Sequence, residues 1–147
     1  MIQTEKTRML AQQTLYLISA HTALFVLYYY AHGKLDMLFD LTAQTPILLI
    51  FCFAPLAAVL FLSTSSARQG AVVLLGVLPA ELIYNIVTRF TASTSFSALV
   101  PSAFWNIMYE GSFGLVLVIE VVASWMTFKV LQEIHKQLNT PPENPLS

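Results

Sequence analysis

The chain of 147 residues is 56% hydrophobic and only 10% charged, against roughly 45–50% apolar and ~25% charged in an average soluble domain, which excludes an ordinary water-soluble globule. Seven Lys and Arg against eight Asp and Glu leave a net charge of -1, so no basic surface exists to neutralise a phosphate backbone, and nucleic acid is not an expected partner. A single cysteine, Cys52, rules out an internal disulfide framework.

Four apolar runs, at about 10–31, 46–63, 71–90 and 104–128, each approach the ~20 residues that carry a helix across a bilayer core. Backbone groups in lipid must bond within their own segment, so these runs take the helical state. The expected fold is all-α: a polytopic membrane protein with a bundle of four transmembrane helices in one domain over 1–138, followed by a short Pro-rich tail at 139–147.

The first run opens with Lys6 and Arg8, as a secretory leader does. Apolar character resumes over 23–28 after only Ser19, His21 and Thr22, too long for a cleaved apolar region, so a retained signal-anchor helix is expected. Between runs 1 and 2, Leu35, Leu38 and Phe39 share one helical face, which fits either a short interfacial helix or a plain loop. Run 2 carries Cys52 and Pro55 but no charged side chain, so it can face lipid, with Cys52 acting as a small apolar residue. Pro55 and Pro79 fall mid-run in helices 2 and 3, where kinks are expected.

Run 3 differs, because Glu81, Asn85 and Arg89 recur every four residues, with Tyr84 and Thr88 on the same face. Its eleven strong apolar residues supply roughly -3 to -7 kcal/mol of insertion free energy, against about +2.5 to +3.5 for one central charge. The run can therefore insert, but its polar stripe must face the bundle, a partner or water. The hydroxyl-rich segment 91–97, closed by Pro101, reads as an outer loop. In run 4, Asn106, Glu110, Glu120 and Ser124 lie on one seam with Phe113 and Leu117, and Gly111 and Gly114 would let a neighbouring backbone come close. The helix should continue to Gln137, with Glu133 placed to pair with Lys129, until Pro141, Pro142 and Pro145 stop it.

Lys6, Arg8, Arg68, Lys129 and Lys136 fall on one side of a four-span arrangement, against Lys34 and Arg89 on the other. Five against two places both termini in the cytoplasm, most naturally of a bacterial inner membrane. Tyr28, Tyr29, Tyr30, Trp105 and Tyr109 then mark the outer interface, and Trp125 the inner one.

Ordering the helices by depth sets Arg89 against Glu110 in the outer layer and Glu81 level with His21 at mid-depth. Glu120 falls in the inner third, near Gln12, Gln13 and Thr14, with no cation opposite it. His21, Glu81, Asn85, Arg89, Glu110 and Glu120 thus form the candidate intramembrane polar network. His21 and His32 lie eleven residues apart on one helix, about 16 Å of rise, so a bis-histidine haem is not expected. No metal-ligand motif and no nucleophile–base pair is legible in the linear sequence, so neither a cofactor nor an enzymatic activity is expected. The leading functional expectation is a small bundle that supports movement of a proton, cation or small polar solute, working as a homo-oligomer. The alternative is a non-catalytic structural or assembly subunit among other membrane-protein subunits.

Overall fold

A computed structural model describes residues 5–34, 41–92 and 103–139. They form four helices: α1 (Glu5–Lys34), α2 (Leu41–Leu62), α3 (Ala67–Ala92) and α4 (Ala103–Asn139). The expected features at 35–40, most of the loop at 91–102 and the tail from 140 lie outside the described residues. Each helix begins before its apolar run, because polar good helix formers such as Glu5, Lys6 and Gln69 extend the ends at little cost. Three helices, α1, α3 and α4, are long and apolar enough to cross a membrane, compatible with a multi-pass integral membrane protein. The apolar stretch described in α2 is shorter, Leu49–Leu62.

Polarity is inverted relative to a soluble bundle. Thr7, Thr14, His21, Glu81, Asn85, Ser112, Glu120 and Thr127 are buried, while Leu60, Ile83, Ile107 and Val118 are among many large apolar side chains that point outward. A water-soluble monomer of this size rarely exposes so many large apolar side chains. The inner hydroxyls are satisfied within their own helices: Thr14 Oγ1 donates to Leu10 O at 2.9 Å, Thr127 Oγ1 to Ala123 O at 2.7 Å and Ser112 Oγ to Met108 O at 2.6 Å.

Buried positions recur at alternating intervals of three and four, at Thr7, Ala11, Thr14, Ile18, His21 and Phe25 in α1 and at Ala67, Ala71, Leu74, Leu78, Glu81 and Asn85 in α3. This is the spacing of left-handed bundle packing. Helices α1 and α3 sit on a diagonal, each packed between α2 and α4. The register of α1 against α4 is antiparallel: Lys6 meets Glu133 and Thr7 meets Gln137 at one end, and Tyr28 meets Tyr109 at the other. An apolar core of Ile18, Val59, Leu62, Leu74, Leu78, Ala123 and Val130 fills the half nearer the termini. A smaller aromatic cluster, with Tyr28, Trp105 and Tyr109 around Ala31, closes the far half.

The turn at 63–66 joins α2 to α3 tightly, with Thr64 Oγ1 donating to Phe61 O at 2.8 Å and accepting from the Ser66 amide at 3.1 Å. Gly70 makes this hairpin possible, because a Cβ there would stand 2.5 Å from Ala58 O and 2.9 Å from Phe61 Cβ. Close approach was expected instead at Gly111 and Gly114. A Cβ at either would meet nothing within 4 Å, since both lie off the packed face of α4. That face runs through Tyr109, Ser112, Val116, Glu120, Ala123, Thr127 and Val130. The expected seam shares only Glu120 with it; Asn106, Phe113, Leu117 and Ser124 are half-buried on its flank and Glu110 is exposed. Glu133 also departs from expectation, pairing with Lys6 at 2.7 Å and Lys136 at 3.4 Å. Lys129 instead covers the Trp125 ring at 5.5 Å.

Candidate functional site

Between the apolar core and the aromatic cluster lies a polar layer built by three helices. α1 supplies His21, α3 supplies Glu81 and Asn85, and α4 supplies Glu120, each at the buried phase of its own three-and-four repeat. The side chains of His21, Glu81 and Glu120 are fully buried. His21 Nε2 lies 3.3 Å from Glu81 Oε1 and 3.5 Å from Glu120 Oε1. Asn85 Nδ2 donates to that same Glu120 oxygen at 2.9 Å, which fixes the rotamer of the carboxylate. One face of the imidazole is stacked on Phe25, with ring centroids 5.8 Å apart.

Hydrogen bonding within this layer is incomplete. Both Glu81 oxygens, Glu120 Oε2 and His21 Nδ1 are buried with no hydrogen-bond partner among the described residues. The 3.3 Å approach of His21 to Glu81 is an electrostatic contact without hydrogen-bond alignment. No lysine or arginine among the described residues pairs with either acid. Burying a bare charge is expensive, so the charge balance here is constrained. One imidazolium can neutralise one carboxylate, and the second acid then requires a proton. Alternatively, both acids share a bound cation.

The sequence expectation that sets His21 level with Glu81 matches this geometry. The expectation for Glu120 does not. Thr14 is satisfied by its own helix, Gln12 and Gln13 are exposed, and Glu120 stands opposite His21. The antiparallel register of α1 on α4 sets Glu120 against His21, which lies about two helical turns along α1 from Thr14. A depth scale taken from the edges of apolar runs cannot resolve that shift. The linear sequence also concealed the cluster of one histidine and two carboxylates, whose ligand atoms lie within 4.8 Å of one another. Its members come from helices far apart in sequence. The available signal was the shared mid-run position of His21 and Glu81, which Glu120 does not share.

The remaining two candidates form a separate feature. Arg89 is bonded to Glu110, and its guanidinium lies over the rings of Tyr109 at 5.3 Å and Phe113 at 5.6 Å. Tyr109 stacks on Tyr28, with centroids 4.9 Å apart and hydroxyls 3.3 Å apart. Glu110 is half-exposed, so this pair sits at the rim of the bundle, above the buried layer. Cys52 on α2 is half-buried and free.

Compared with protein-family models, curated proteins and solved structures, the chain matches none.

Proposed function

We propose that this protein is an integral membrane protein of four transmembrane helices that supports movement of a small cation, a proton or metal ion, or of a small polar solute through its polar layer. The observation that carries this reading is the fully buried His21–Glu81–Glu120 cluster, with more acids than its one imidazole can neutralise, inside helices whose outer faces are apolar. Ionisable groups buried inside membrane-spanning helices are functional-site candidates by default, because placing them there is costly. α2 extends over 22 residues, about 33 Å at helical rise, which is long enough to complete a fourth crossing. The five-to-two distribution of basic residues puts the end bearing both termini and the 63–66 turn in the cytoplasm, in a bacterial inner membrane. Four helices enclose little lumen, so the working form is an oligomer.

The outward faces of α4 favour one competing reading. Gly111 and Gly114 lie open among exposed Ile107, Leu115 and Val118, a surface on which another membrane subunit could seat. Under that reading the protein is an assembly subunit, and it co-purifies with a stable partner in mild detergent. The carrier reading is tested by reconstituting the protein in liposomes with entrapped pH-sensitive and divalent-cation-sensitive dyes under an imposed potential. Flux above empty vesicles that falls in Glu81→Gln is expected. Flux equal to empty vesicles with both dyes overturns the proton and metal-ion forms of the reading, and the absence of solute-driven swelling of the same vesicles overturns the polar-solute form.

A further inference from the structure

We propose that His21, Glu81 and Glu120 bind a single divalent first-row transition-metal ion of zinc-like chemistry, with Asn85 as the positioning residue for one ligand. The proposal deepens the carrier reading and rests on it for the role of the ion; binding itself is testable without transport. Four observations converge on it.

The first is distance. A metal bonded at ~2.0–2.1 Å to tetrahedral donors sets those donors ~3.3–3.4 Å apart. His21 Nε2 stands 3.3 Å and 3.5 Å from its two carboxylate neighbours. The second is charge. Two carboxylates and a neutral imidazole are balanced by one divalent ion and left with one negative charge by a monovalent one, which matters where no lysine or arginine among the described residues pairs with them. The third is the set of fully buried carboxylate oxygens, both of Glu81 and Oε2 of Glu120, that have no hydrogen-bond partner among the described residues. The fourth is the outer support. Asn85 Nδ2 holds Glu120 Oε1 at 2.9 Å, as groups behind a ligand commonly do.

The donor set also selects the ion. An imidazole nitrogen beside two carboxylates suits zinc, iron, cobalt or nickel, whereas calcium gathers six to eight oxygens and magnesium keeps most of its water. Three protein donors are the number found where a metal keeps one exchangeable ligand, while permanent structural sites close all four positions with protein.

The test is equilibrium binding in detergent, with protein purified without a polyhistidine tag, stripped by chelator and titrated with Co2+. One Co2+ per chain is expected, with the visible absorption of a low-coordinate ion, displaced by Zn2+ but not by millimolar Mg2+. Glu81→Gln and Glu120→Gln should lose stoichiometric binding while keeping the helical circular dichroism of the parent. Asn85→Ala should weaken it by about 10- to 100-fold. A folded parent that takes up no stoichiometric Co2+, or a Glu81→Gln/Glu120→Gln double variant that binds as the parent does, overturns the proposal. Binding without flux in liposomes keeps the metal site and overturns the carrier reading. Flux without binding does the reverse.

Discussion

His21 stands between two acids, so removing it alone differs in kind from removing all three side chains. His21→Leu leaves Glu81 and Glu120 together in a buried layer with no cationic side chain opposite them among the described residues. Breaking a buried charged set by deleting one partner costs about 3–5 kcal/mol, whereas replacing the whole set with apolar residues of similar volume is often neutral or stabilising. Thermal unfolding in detergent should therefore rank the triple variant His21→Leu/Glu81→Met/Glu120→Met at or above the parent and His21→Leu well below both. A triple variant as unstable as the single one would mean that the cluster is itself structural. At this scale the sequence was legible where residues share mid-run depth, as His21 and Glu81 do. It was illegible where depth depends on helix register, which set Glu120 about two turns of α1 away from its expected neighbours. Neighbours of the cluster such as Phe25, stacked on the imidazole, carry no signal in sequence that separates them from other apolar residues.

For the helices, the apolar runs announced all four elements, while the packed faces depended on contacts that no run displays. Two acids at Glu110 and Glu120 drew the expected seam of α4 onto one line, but the face is chosen by small and branched side chains at Ser112, Val116 and Ala123, with Glu110 left at the rim. Gly70 was missed because glycine near a helix start looks unremarkable until α2 crosses it. Gly70→Leu forces backbone at Ala58 and Leu62 to shift and should destabilise by about 1–3 kcal/mol. Gly114→Leu, in open space, should leave the thermal midpoint of the isolated chain unchanged. At the termini end, Lys6 and then Lys136 hold the Glu133 carboxyl below the usual carboxylate range. A carboxyl depressed in the folded state stabilises above its unfolded pKa of ~4.3 and loses that contribution as pH falls through the lower folded value. Lys6→Gln should therefore lower the unfolding midpoint at pH 7, and the difference from the parent should shrink as the pH is taken below ~4.

The molecule as a whole is an inside-out bundle: apolar toward its surroundings, polar at mid-depth, with an apolar core at one end and an aromatic and Arg89–Glu110 rim at the other. Such a layering keeps the His21–Glu81–Glu120 cluster fully buried between the two ends. With α2 as a crossing helix, the 63–66 turn and the end of α4 share one side. In a Cys52→Ala background, Ser66→Cys and Asn139→Cys should react with an impermeant maleimide from the same face of oriented vesicles, and Lys34→Cys from the opposite face. Ser66→Cys labelling with Lys34→Cys would show that α2 does not cross. The central claim, that the buried cluster moves a cation, is tested most directly by potential-driven uptake of Co2+ and of protons into liposomes carrying either the parent or the stable triple variant. Uptake of at least one ion by the parent and none above empty vesicles by a folded triple variant is the expected result. Equal uptake by the two would contradict it.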